Sequence, residues 1–208
     1  EMCIRDSNAG DNFTKNMLKS LLGKIFKDNN QTKHAIEIYN DQIAYFSKEK
    51  MALGALLTWY LIAEAVLVTE GPYAAQEIAS QALEVAQNPK IDNYFFTILL
   101  KIIIIKAAMT SSDYETAKMH LDSAIMLARQ FNLNDMLSRL FLLYGKYFQE
   151  IGLISSPQQQ EYLNGSAKMY FKASEYVRGT RNNYVHIEIE KAKNVLKSFC
   201  QLNSIKLG

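Results

Sequence analysis

The chain has 208 residues, 49% of them hydrophobic and 21% charged, with a formal net charge of +2. That balance is too apolar for a disordered chain, and the charge is too small and too evenly spread for a nucleic-acid-binding surface. Nine glycines and three prolines are few turn residues for this length, which speaks against an all-β chain and for long helices with tight connections.

The opening stretch "EMCIRDS" stands apart. It resembles the translation of a transposase mosaic-end oligonucleotide used as a sequencing adaptor. Residues 1–7 are therefore expected to be a non-native scar, a metagenomic fragment's edge, with native sequence continuing upstream in the intact gene. Its Glu1, Arg5 and Asp6 sum to −1, so the remainder carries +3. Excluding Cys3 leaves Cys200, which has no internal disulfide partner and fits a reducing, cytoplasmic compartment.

Next comes a first helical unit near 16–49, with Leu22, Gly23 and Phe26 followed by Ala35 and Tyr39. A second spans about 56–89: Trp59, Ile62, Ala63 and Val66, then Ala75, Ala79 and Ala82. Gly71-Pro72 separates its two helices and Asn88-Pro89 closes the second. The third unit, near 98–131, contains "YFFTILLKIIIIKAAM" (94–109). About 20 apolar residues are needed to span a bilayer, so this run is short for a membrane helix, and Lys101 and Lys106 would be costly there. Its isoleucines favour a strand by propensity. The repeat places it instead as a buried inner helix, with Ile105 at the Gly23 position and Ala117, Leu121 and Ala124 following. Ser112 with Glu115 predicts a capping box ahead of the next helix. In the fourth unit, near 138–181, Gly145 takes the Gly23 position and Ala167, Phe171 and Ser174 follow after ten extra residues. Ser156, Pro157 and Gln159 predict a helix start within that insert, Ser155–Asn164. From 183 onward, Tyr184, Ile187, Val195, Phe199 and Leu202, with Ile189, Ala192 and Leu196 beside them, predict a terminal capping helix.

The recurring small residues, Ala35, Ala75, Ala117 and Ala167, are 40, 42 and 50 residues apart. With the aromatic-Leu-small pattern before them, they resemble the tetratricopeptide repeat (TPR) family. That resemblance implies an all-α helix-turn-helix repeat solenoid of about four helix pairs over 8–182, capped by 183–208. The lengthened units resemble those of large bacterial signalling and transcription regulators.

Catalytic chemistry finds no support. His34, His120 and His186 are far apart, and there is no Cys-x2-Cys, HExxH or Gly-x-Ser-x-Gly pattern. Glu188 and Glu190 point to different helix faces, and Cys200 reads as a core thiol. No cofactor or metal is expected. In the TPR family the first helices of successive units line a concave groove. Carried onto this chain, the resemblance implies a partner-binding set of Lys24, Lys27, Tyr60, Glu64, Lys106, Met109, Arg139, Leu142 and Lys146. The ninth groove position is Lys in three units and Glu in one, which favours an acidic peptide or protein partner. The chaperone-cofactor members hold a peptide carboxylate with Lys, Arg and Asn, but Leu21, Leu61, Ile103 and Leu143 stand where that Asn pattern would be. The expected function is a non-catalytic interaction scaffold, the C-terminal part of a larger signalling protein. The alternative is the regulatory TPR-like domain of an enzyme or transcription regulator whose catalytic or DNA-binding domain lies upstream.

Overall fold

The computed structural model describes residues 2–154, 156–178, 180 and 182–207, with side chains from residue 12 onward except that of Ser156. The expected scar thus falls partly outside the described residues, at Glu1, and partly on helical backbone. Among the described residues there are nine α-helices and no strand: α1 (Met2–Asp28), α2 (Thr32–Lys48), α3 (Ala52–Thr69), α4 (Pro72–Ala86), α5 (Tyr94–Thr110), α6 (Tyr114–Gln130), α7 (Asn134–Ile154), α8 (Gln159–Val177) and α9 (Asn183–Leu202). A single 3-10 turn, Ser156–Gln158, precedes α8. The all-α repeat expectation holds. The chain divides into two compact units, the first ending at Ala107 and the second beginning at Ala108, so that α5 closes the first unit with its last three residues in the second.

Tight turns explain why so few glycines suffice. Asn30, Lys50, Ser112 and Asn132 all take the left-handed conformation, with φ of 62°, 55°, 60° and 54°. After each, the next amide reaches back to the helix it leaves: Gln31 N to Phe26 O at 2.9 Å, Met51 N to Phe46 O at 2.8 Å, Asp113 N to Ala108 O at 2.8 Å and Leu133 N to Ala128 O at 2.9 Å. This bond closes a helix C-terminus and hands the chain to the next N-cap within three residues. It also corrects the predicted capping box. Ser112 is occupied by the left-handed turn, so Asp113 caps α6 and accepts from Thr116 N at 3.1 Å.

In the first unit α2 packs on α1 and α3, and α4 on α3. Small residues let the helices approach closely. A Cβ built on Gly23 would lie 2.5 Å from Tyr39 Cε1, and one on Gly54 would lie 2.4 Å from Phe46 Cδ1. The rings fill the space the glycines leave. Ala35, Ala75, Ala79 and Ala82 are wholly buried in the same core, with Leu56, Leu100 and Ile103. By length and composition α3 passes for a membrane-crossing helix, with mean hydropathy 1.8, yet half of it is buried inside the protein. A row four, three and four residues apart, Gly54, Thr58, Leu61 and Ala65, faces inward and begins at Phe46 of α2. That burial is what an inner helix of a packed stack shows.

The second unit repeats the device. Met136, Leu140, Leu143 and Tyr147 of α7, and Val185, Ile189, Ala192 and Leu196 of α9, form the matching buried rows. Gly145 meets a ring as Gly23 does: its Cβ would lie 2.3 Å from Tyr170 Cε1. This contact corrects the predicted register of the fourth unit. Ser166, Tyr170 and Ala173 are the wholly buried set, whereas Phe171 is 57% exposed. The small position is Ser166, 49 residues after Ala117, and not Ala167. The reason is steric, because only the Tyr170 register seats a ring on Gly145. The predicted helix start at Ser156 is also shifted, since α8 proper begins at Gln159 after the 3-10 turn.

The terminal helix is present over Asn183–Leu202, but its buried side differs from the expected stripe. Val185, Ile189, Ala192, Leu196 and Cys200 face inward, while Tyr184, Ile187, Val195 and Leu202 are exposed. Where α7 buries Leu137, Phe141 and Gly145, α9 presents His186, Glu190 and Asn194 to solvent.

Candidate functional site

Five of the nine predicted groove residues meet in the first unit, around Glu64 on α3. Lys27 Nζ of α1 donates to Glu64 Oε2, and Tyr60, one turn before Glu64, donates from its hydroxyl to Oε1 at 3.4 Å. Burial pushes the Glu64 carboxyl up. The Lys27 hydrogen bond and the positive charges of Lys27, Lys106 and Lys24 outweigh that and hold it below the ordinary carboxylate range. α1 and α5 thus bring three ammonium groups to the one carboxylate of α3, and a second carboxylate, Asp28, stands 3.9 Å from Lys27 Nζ. Underneath, burial pushes the Tyr39 phenol well above its ordinary value, with the charges of Glu64 and Asp28 adding to it. Its hydroxyl has no hydrogen-bond partner among the described residues.

The remaining predicted residues lie in the second unit and divide by role. Met109 and Leu142 are each 8% exposed and serve packing. Arg139 donates from Nε to Asp135 Oδ2 at 3.0 Å, so its charge is matched within α7. Lys146 alone opens into a cavity of about 250 Å³ between α7, α8 and α9. Gln149, Glu150 and Leu153 of α7 share that cavity with Glu188, Lys191 and Val195 of α9. Tyr170 forms part of its lining and donates to Gln149 Oε1 at 2.8 Å. Burial pushes the Glu150 carboxyl up, and Lys146 only partly opposes it. Glu188 accepts from Lys191 at 3.0 Å, while Glu190 pairs with Lys193 at 2.9 Å away from the cavity. The two acids do point to different faces, as expected.

Sequence reasoning missed Glu150, Glu188 and Lys191 as cavity residues, because the groove positions were counted on first helices of pairs and α9 was counted only as a cap. Spacing could have found them. Residues four and seven after Lys146, and Glu188, Lys191 and Val195 at three and four residue steps, each fall on one helix face.

Asn182 fixes α9 beside this cavity. Its side chain accepts from Val185 N at 3.2 Å, capping the helix, and donates to Asp135 Oδ1 of α7 at 2.6 Å. Asn182→Ala removes both bonds and strands an acceptor. It is expected to cost about 1–2 kcal/mol in urea unfolding, with loss of protection at the α9 amides in hydrogen exchange.

No group of three or more metal-ligating side chains occurs among the described residues. Cys200 is buried, and burial pushes its thiol up, away from thiolate reactivity.

No protein-family model matches this sequence, and no curated protein is similar to it at a significant level. Solved structures are similar in fold. One is the crystal structure of nearly identical TPR-like repeats from a Podosopora anserina protein described as a kinesin light chain, with a TM-score of 0.51 at 11% identity over 85% of this chain and 94% of that one. A Q17M variant of those repeats gives a TM-score of 0.51 at 12% identity over 89% and 95%. At such identity the likeness concerns architecture alone, and it agrees with the helix pairs, the glycine-ring contacts and the recurring buried rows: the chain has the TPR-like helical-repeat fold.

Proposed function

We propose that this protein is a non-catalytic interaction scaffold that binds an acidic peptide or protein segment on its inner-helix faces. The observation that carries the reading is the first-unit cluster, where the positive charges of Lys24, Lys27 and Lys106 gather around Glu64, with Asp28 at its edge. Ammonium groups held in place by a buried counter-charge lose little freedom when an incoming carboxylate joins them. In the second unit, Lys146 lines a cavity that it shares with Glu150, Glu188 and Lys191, and it supplies a separate cation there. A role within a larger signalling or regulatory protein is supported by the lengthened repeats, and a reducing cytoplasm by the free, buried thiol of Cys200.

Charge reversal tests the reading. Lys106→Glu and Lys146→Glu are each expected to weaken binding of an acidic peptide library by about tenfold at low salt, with helical circular dichroism unchanged. The same peptides should lose affinity for the unaltered protein as salt rises. Unchanged affinity in both variants would remove the acidic partner from the proposal.

A further inference from the structure

One face of α7 brings Lys146, Gln149, Glu150 and Leu153 to the cavity between α7, α8 and α9. The polar groups there differ in what they already hold. Glu188 and Lys191 of α9 satisfy each other at 3.0 Å. The wholly buried Tyr170 donates to Gln149 Oε1 at 2.8 Å, which leaves the Gln149 amide nitrogen as an unused donor among the described residues. Lys146 and Glu150 stand one turn apart, yet neither makes a hydrogen bond or a close ion pair among the described residues. The half-buried Glu150 carboxyl bears the cost: burial pushes it up, and the charge of Lys146 opposes this only in part. Two donors and one acceptor on a single helix face are thus left open side by side. Leu153, with Ala192 and Val195 of α9, supplies aliphatic lining next to them.

We propose that this cavity binds a small zwitterion, a free α-amino acid with an aliphatic side chain. Its carboxylate lies with the Lys146 ammonium and Gln149 Nε2, its ammonium with the Glu150 carboxylate, and its side chain against Leu153, Ala192 and Val195. Charge balance selects the class. The lining carries two ammonium groups and two carboxylates, of which Glu188 and Lys191 already match each other. An ion of either sign would leave Lys146 or Glu150 unmatched, and an uncharged ligand would leave both. In a peptide the α-ammonium and α-carboxylate belong to opposite ends of the chain, so a free amino acid is the species that offers both here. Size agrees. The cavity of about 250 Å³ falls below the roughly 300 Å³ at which drug-sized sites begin, and holds the share of roughly eight waters. The inference stands on this cavity and not on the acidic-partner reading, which the first-unit cluster carries.

The test is calorimetric titration of the whole chain with three probes of one carbon skeleton: leucine, isocaproate, which lacks the ammonium, and isoamylamine, which lacks the carboxylate. Leucine is expected to bind saturably and at least about tenfold tighter than either of the others. In Glu150→Gln its advantage over isocaproate should shrink to about twofold or less, and in Lys146→Met its advantage over isoamylamine should do the same. Lys106→Glu, in the first unit, should change none of the three. Neither Glu150 nor Lys146 bonds to the rest of the fold, so both variants should keep their helical circular dichroism. Absence of saturable leucine binding overturns the proposal, as does leucine binding that is indifferent to both substitutions. Isocaproate bound as tightly as leucine overturns it in favour of an anion site, and isoamylamine bound as tightly overturns it in favour of a cation site. The acidic-peptide measurement with Lys106→Glu is unaffected by any of these results, so the two readings fail separately.

Discussion

Gly145→Val is expected to destabilise the second unit by about 3 kcal/mol, read as a lower urea midpoint with an unchanged slope. The built Cβ already stands 2.3 Å from Tyr170 Cε1 and 2.4 Å from Cδ1, and valine adds two methyl groups. Tyr170 has little room to retreat. It is wholly buried, and its hydroxyl is held by Gln149 Oε1 at 2.8 Å. In an open helix the same exchange would gain several tenths of a kcal/mol, because glycine is a poor helix former, so the sign of the result isolates the ring contact. Gly165→Ala is the internal control. Its nearest neighbour would be Phe148 Cγ at 3.4 Å, an ordinary contact, and it should stabilise by about 0.5–1 kcal/mol. Combining Gly145→Val with Tyr170→Ala should cost at least 1 kcal/mol less than the two changes sum to, by the logic of a double-mutant cycle. Strict additivity would mean that the ring and the glycine are not coupled.

This pairing also marks how far the sequence could be read. The helix over 94–109 is found at Tyr94–Thr110, and the small positions Ala35, Ala75 and Ala117 are all wholly buried, because periodicity and small-residue spacing follow directly from helix geometry. The fourth unit misleads by one residue for a physical reason. An insert changes the count between glycine and small residue, and Ser166 and Ala167 are both small enough to fill the position. Only the Tyr170 ring decides between them, and a ring-to-glycine contact leaves no signature in one-dimensional spacing. Likewise α9 carries apolar residues on two adjacent sides. Composition shows a broad stripe, but which side turns inward is fixed by the row it shares with α7.

The site was legible in part. Lys24, Lys27, Tyr60, Glu64 and Lys106 do converge, because equivalent positions on successive inner helices fall on one side. Position alone does not reveal that Arg139 is matched by Asp135, or that Met109 and Leu142 are buried. Those outcomes depend on neighbours whose identity the repeat does not dictate.

Lys27→Met tests whether the Glu64 cluster also holds the first unit together. The Glu64 side chain is 25% exposed and that of Lys27 17%, so the pair is largely withdrawn from water. Removing the ammonium leaves a carboxylate whose desolvation is opposed by the charges of Lys106 and Lys24 and by the long hydrogen bond from Tyr60. A loss of about 2 kcal/mol at neutral pH is expected, below the range for fully buried pairs because some solvent reaches Glu64. The pH dependence discriminates this from lost packing. In the unaltered protein the folded carboxyl titrates below its unfolded value, so its stabilisation is complete above about pH 5 and disappears as pH falls through the lower folded value. In Lys27→Met the folded and unfolded values draw together, and that acid-side loss should shrink. The two proteins should then differ most near neutrality and converge as pH falls through the lowered folded value, below which Glu64 is protonated in both. Glu64→Gln should likewise remove this component of the pH dependence. A stability deficit in Lys27→Met that stays constant down to low pH would assign Lys27 to packing by its aliphatic stem, and would leave Glu64 to Lys24, Lys106 and Tyr60.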